Sequence, residues 1–305
     1  MDSSMDSSTA SFDQLFVTPA FLLLHNMLNA RLNAEAAAWL QNNLIEISAG
    51  NRRQLFIAFS LAARTVGKES LQSSPLDIKR ANSIYTGWSI AHWRVDQTTR
   101  VLLLLAIPTQ NAGMYHQAVM QLFESATVSE LVALYQSLAI LPYAESFGAQ
   151  AVEGVRSSMT AVFNAIALNN PYPEDHFSEA AWNQMVLKAL FEDSPLHLIQ
   201  GVSRRANRTL ANMLVDYAHE RWSAGRSVSP ELWRAVGPFA KGPALNALER
   251  ALGDPDPIQR EAAALACFYS LDARSLLRDQ PHVEAKIRSG QLNWERIGKL
   301  VSQPI

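Results

Sequence analysis

Asn169-Asn170-Pro171-Tyr172-Pro173 opens the most heavily punctuated stretch of the chain. It continues through Trp182-Asn183-Gln184-Met185-Val186-Leu187-Lys188, Arg204-Arg205-Ala206-Asn207, Asp216-Tyr217-Ala218-His219-Glu220-Arg221-Trp222 and Pro230-Glu231-Leu232-Trp233. Two prolines spaced in this way cannot continue a helix, so the chain must stop and restart at 170–173. Each following segment carries apolar residues at helical spacing and ends at Pro or Gly. The spacing predicts helices over 177–192, 208–223 and a short one up to Val236.

The same grammar runs in both directions from this stretch. Thr18-Pro19, Asn33 and Asn51 read as helix starts, and Gly50 and Gly67 as stops. Helices are expected over 76–85, 96–107 and 112–125. Asp96 and Arg100 stand four apart, acid first, as in a helical ion pair. Thr127-Val128-Ser129-Glu130 is a capping box for a helix reaching Leu141. One long helix is expected over 144–168, with Val155, Met159, Val162, Phe163 and Ile166 on its buried face. In the tail, 245–252 and 258–270 flank Gly253-Asp254-Pro255-Asp256-Pro257, the pattern of one HEAT-type helix pair. Helices at 281–289 and 294–302 would cap the stack. No alternating strand pattern survives. The expectation is an all-α protein, an irregular right-handed helical solenoid (HEAT-like) of antiparallel helix pairs. Residues 1–14 form a disordered segment, 15–240 the main helical domain and 241–305 a HEAT-like cap on the same stack.

Composition bounds the function. The 305 residues are 48% hydrophobic and 18% charged, with net charge -2. That leaves no basic footprint for nucleic acid and no polybasic membrane patch. Cys267 is the single cysteine, which excludes an intrachain disulfide and fits a reducing, cytoplasmic setting. No apolar run reaches membrane-spanning length. Nucleophile elbows, phosphate loops and dinucleotide fingerprints are absent, and neither a metal nor a cofactor is expected.

Three constellations carry chemistry. Lys188, with Gln184 one turn earlier, rides on a helix that is otherwise apolar nearly all round. Its ammonium must either find a partner or border a polar cavity. Arg204, Arg205 and Asn207 precede a helix start, where free N–H groups favour anions. Gln184, Lys188, Arg204, Arg205 and Asn207 thus form a candidate anion pocket. The alternative is a structural pairing of Lys188 with Asp216 or Glu220. Asn212, Asp216, His219 and Glu220 line one helical stripe, either an acid–base or cation-binding face or plain solvated surface. Trp88, Trp93, Trp182, Trp222 and Trp233 read as packing anchors, and Cys267 as an inert core residue.

At these motifs the chain resembles the EboA domain family. The residues that carry the resemblance are Trp93 with Asp96 and Arg100, Leu131-Val132-Ala133-Leu134-Tyr135, and Ala151-Val152-Glu153-Gly154-Val155-Arg156. They continue with Val162-Phe163-Asn164-Ala165-Ile166-Ala167-Leu168, Asn170-Pro171-Tyr172-Pro173, 182–190, 216–222 and 230–233. Ser157-Ser158 stands where Thr-Asn is expected in the family. The resemblance implies a helical protein encoded in ebo-type secondary-metabolite clusters, beside a UbiA-like prenyltransferase and a sugar-phosphate cyclase-like enzyme. It implies an accessory protein that binds a small-molecule intermediate or partner enzymes of that pathway. An enzyme acting on a phosphorylated or prenylated intermediate, and a pure protein–protein scaffold, are the alternatives.

Overall fold

Helix starts in this chain are made by side chains that replace missing backbone acceptors, and the computed structural model places them where the sequence marks them. It describes residues 18–278 and 280–302; the segment 1–14 lies outside them. Thr18, Asn33, Asn51 and Asn111 each accept a hydrogen bond from a first-turn N–H of the helix that follows. Among the described residues there are seventeen α-helices and no strand, only an isolated bridge between Ser70 and Arg94. No helix among them is long and apolar enough to cross a membrane.

The chain divides into two compact units, meeting in sequence between Ile166 and Ala167. The domain boundary expected near residue 240 falls inside the second. The first holds α1 Pro19–Asn29, α2 Ala34–Ser48, α3 Arg52–Val66, α4 Pro75–Ile84, α5 Val95–Leu105, α6 Ala112–Ser125, α7 Val128–Ser137, α8 Gly148–Arg156 and α9 Thr160–Ala167. Its axis is α5, which packs against α1, α2, α3 and α7. Every residue from Val95 to Leu104 is buried. Five of these are polar; Asp96, Gln97, Thr98 and Arg100 are paired, as buried polar groups generally are, while the Thr99 hydroxyl has no hydrogen-bond partner among the described residues. Arg100 donates Nε to the Phe59 carbonyl at 2.9 Å and Nη1 to Asp96 Oδ2 at 2.7 Å. Arg94 holds Asp96 from the other side at 2.9 and 3.0 Å. Glu130 Oε1 stands 3.9 Å from Arg100, while its Oε2 accepts the Thr127 N–H of the predicted capping box. Burial alone would raise the Asp96 carboxyl, but the hydrogen bonds and charges of Arg94 and Arg100 outweigh it and hold it below the usual value.

One long helix was expected over 144–168; the structure has a 3-10 turn at Ala144–Phe147, then α8, then α9. Ser157 turns extended (φ -56°, ψ 140°), and its hydroxyl accepts the Met159 N–H at 3.1 Å. A serine side chain offering the backbone a competing bond interrupts a helix in this way. Met159 is consequently exposed rather than in the core.

The second unit holds α10 Tyr172–His176, α11 Glu179–Phe191, α12 Arg208–Ser223, α13 Trp233–Val236, α14 Pro243–Leu252, α15 Pro257–Phe268, α16 Pro281–Arg288 and α17 Trp294–Val301. Asn169 takes a left-handed φ of 54° and Asn170 Oδ1 accepts the Tyr172 N–H, so the Asn-Asn-Pro-Tyr-Pro motif is a turn that starts α10. The centre is α15, in contact with α13, α14, α16 and α17. Its alanines let the chain at Gly237 come so close that a Cβ there would meet the Ala266 carbonyl at 2.6 Å. Asp256 caps α15, and Arg260 ties the Asp254 and Pro255 carbonyls at 2.7 Å each. Trp182 and Trp233 are fully buried here, as Trp88 is in the first unit; Trp93 is buried and Trp222 half-buried. Cys267 is buried, which pushes its thiol up to about 12. Among the described residues the structure establishes the all-α class, with helix pairs such as α14–α15.

Candidate functional site

The residues singled out in the second unit are held by the protein itself. Arg204 makes a two-pronged pair with Glu174. Arg205 donates to the carbonyls of Pro173, Glu174 and Phe177 at 2.8–3.0 Å and lies 4.8 Å over the Trp182 ring. These carbonyls end α10, where a guanidinium fork is the natural partner. Asn207 caps α12 through Leu210 and exchanges two amide bonds with buried Asn183, at 3.1 and 2.8 Å. Gln184 faces solvent and Lys188 is half-buried. The two arginines therefore brace 173–177. Phe191, expected within the apolar surround of α11, is 62% exposed and packs its ring on Tyr217. Asn212, Asp216, His219 and Glu220 all face solvent on α12, and His219 packs edge-on to Trp222. Among the described residues no group of three or more His, Cys, Asp or Glu is placed to hold a metal ion.

The concave feature with the chemistry of a binding site lies in the first unit. Two turns line it. One is Ser48–Arg52, where α2 ends, Gly50 takes φ 90° and Asn51 caps α3. The other follows α5, where Pro108 blocks further helix and Asn111 caps α6. Between them is a cleft of about 420 Å³, walled by Ile47, Leu55, Ile107, Pro108, Met114 and Tyr115. That volume lies in the range of small-molecule sites. Met114 is 64% exposed, so one wall stands open to solvent. Two further depressions, one along α17 and one between α1 and α4, carry a larger share of charged side chains.

Among the described residues Arg52 is the single charged residue lining the cleft. Its Nη1 donates to Gln117 Oε1 at 3.3 Å. Its Nε and Nη2 are sheltered from solvent and have no hydrogen-bond partner among the described residues. A sheltered donor left unmatched costs about 1–3 kcal/mol. Of the other polar side chains of the lining, Gln110 is exposed and the rest are engaged. Ser48 Oγ donates to the Ile45 carbonyl, and Asn51 and Asn111 accept first-turn N–H groups. The Tyr115 hydroxyl donates to the Leu104 carbonyl at 3.3 Å, and burial pushes its pKa well above the usual range. Among the described residues the lining holds no carboxylate, imidazole or thiol. It offers apolar area and one cation.

The family model described as metabolite traffic protein EboA matches residues 20–237. The chain belongs to the EboA family. Both turns of the cleft, the α5 network and the 170–207 brace lie inside the matched region. No protein of curated function and no solved structure matches the chain.

Sequence reasoning missed the cleft because its two turns are some sixty residues apart, and no linear pattern says that they meet. A signal was nevertheless present. Arg52 and Arg53 occupy the first turn of α3, which carries no acidic residue. Cations at a helix N-terminus run against the helix dipole.

Proposed function

We propose that this EboA-family protein is a non-catalytic accessory protein of an ebo-type pathway, holding a pathway metabolite in the cleft between the Ser48–Arg52 and 107–111 turns. The observation that carries the reading is the lining itself. It has a small-molecule volume, apolar walls and a guanidinium with unmatched donors, and among the described residues no acid or base lines it. The family description, metabolite traffic, agrees with holding and handing on. A cytoplasmic setting is supported by the single, buried, unpaired Cys267. A HEAT-type reading of α14–α15 draws support from the Asp-Pro turn tied by Arg260.

Native mass spectrometry of freshly purified protein tests the reading. The wild type should carry a non-covalent small-molecule adduct, and Met114→Trp, which bulks the open wall, should lose it. An adduct indifferent to that substitution, or a wild type carrying none, counts against the cleft as the metabolite site.

A further inference from the structure

We infer that the occupant of the cleft is an anionic amphiphile, its carboxylate or phosphate head on Arg52 and its apolar body against Ile47, Ile107 and Tyr115. The inference rests on the reading of the cleft as a small-molecule site and goes further by fixing the charge of what enters.

Three independent observations meet at one place. Arg52 lines the cleft, and two of its nitrogens, Nε and Nη2, have no hydrogen-bond partner among the described residues; both are closed off from solvent, so a turn of the half-buried side chain brings them to an occupant. These are two of the donors with which a guanidinium grips a carboxylate or phosphate side-on. Next, the charge balance of the lining is entirely positive, because among the described residues Arg52 is its sole ionised one. The carboxylate recorded against the turn, Glu46, accepts from Asn51 Nδ2 at 3.0 Å and does not line the cleft. Finally, the N-terminal ends of α3 and α6 both border the cleft through Asn51, Arg52 and Asn111. Each end adds a partial positive charge, so a cation placed there is repelled by the backbone and an anion relieves that repulsion. A neutral occupant would leave the guanidinium unmatched. A cationic one would add a second repulsion. The six apolar wall residues then require that the rest of the molecule be oily.

A matched dye pair separates charge from apolar fit. 1-Anilinonaphthalene-8-sulfonate carries an anionic head; N-phenyl-1-naphthylamine is the same scaffold without it. Wild-type protein should bind the sulfonate at least about tenfold more tightly. Arg52→Met should abolish that preference while leaving the neutral dye unchanged, and Arg52→Lys should restore part of it. Met114→Trp should weaken both dyes. Displacement of the sulfonate by decanoate or by decyl phosphate, but not by decanol, supports the class, and the tighter of the two names the head group. Equal binding of both dyes, unaltered by Arg52→Met yet blocked by Met114→Trp, overturns the anionic inference and leaves the cleft as a small-molecule site. Binding of either dye that ignores Met114→Trp, or no binding at all, overturns the cleft reading and the inference together. Circular dichroism of each variant confirms that the helices are intact.

Discussion

Arg100 and Arg204 are both paired with a carboxylate, yet their surroundings give the two pairs opposite meanings. The Arg100 and Asp96 side chains are 2% and 0% exposed. Arg204 is 61% exposed against Glu174 at 13%. In the α5 core the partners have surrendered their water, and each depends on the other for its solvation. On the surface of the second unit water stands ready to replace either partner, and the pair adds little. A charge constellation in a sequence therefore has no fixed energetic value. Burial sets it, and burial is a property of the helix beneath.

The largest test of that contrast is Asp96→Ala. It strands a buried guanidinium and should cost about 3–5 kcal/mol in urea or thermal unfolding. A loss under about 1 kcal/mol would show that the α5 network is hydrated and that the contrast fails. Asp96→Asn sharpens the point through pH. The folded carboxyl lies below its ordinary 3.8, so its contribution is complete above that value and disappears as pH falls through the lower folded value. Stability of the wild type should accordingly begin to fall as pH drops through about 4, the ordinary carboxyl value, and go on falling below it, by more than that of Asp96→Asn. Parallel acid limbs would remove Asp96 as the group responsible.

Next in size is Arg205→Met. Three carbonyls, of Pro173, Glu174 and Phe177, lose their donor, and the cation over Trp182 is lost with them. The expected cost is about 2 kcal/mol. Its sequence neighbour gives the control. Arg204→Ala should cost no more than about 1 kcal/mol and fade in high salt, as an exposed pair does. If the two substitutions cost the same, the second-unit brace owes its strength to charge and not to the carbonyl ties.

Much of the fold was legible because it is written locally. Thr18-Pro19, Asn33, Asn51, Thr127 with Glu130, and Asp256-Pro257 each start a helix where a side chain can reach a first-turn N–H, a matter of three residues. The Asp96–Arg100 pair was visible for the same reason, one turn apart on one helix. Its burial was not, since it depends on α1, α2, α3 and α7 closing around α5. The break at Ser157 escaped because serine is common enough inside helices, and only the extended backbone reveals its hydroxyl competing for the Met159 N–H. The reading of Lys188, Arg204 and Arg205 followed from the chemistry of neighbouring residues. The partners that engage Arg204 and Arg205 sit some thirty residues earlier, on Glu174 and the end of α10. The cleft stayed hidden for a related reason: Arg52 meets Ile107 and Tyr115 only through the fold.

Arg52 supplies the third term of the comparison and the smallest expected effect. Arg100 is buried and matched, Arg204 exposed and matched, and Arg52 sheltered and unmatched at Nε and Nη2. Removing a matched buried cation strands its partner. Removing an unmatched one strands nothing, because the single bond given up, to Gln117, joins exposed side chains. The substitution also lifts one of two cations from the first turn of α3, which relieves repulsion from the helix dipole by about 0.3–1 kcal/mol. Arg52→Met should therefore leave ligand-free protein at least as stable as wild type, with a gain of up to about 1 kcal/mol, the behaviour of a residue kept for binding rather than for folding. The comparison must be made on protein stripped of any co-purifying molecule, since an occupant would stabilise the wild type by mass action and mask the gain. A loss of about 2 kcal/mol or more in the stripped protein would mean that Arg52 is a structural tie like Arg205, with donors satisfied by the protein's own hydration. It would then belong with the braces, and the cleft would keep its apolar walls without its anchor.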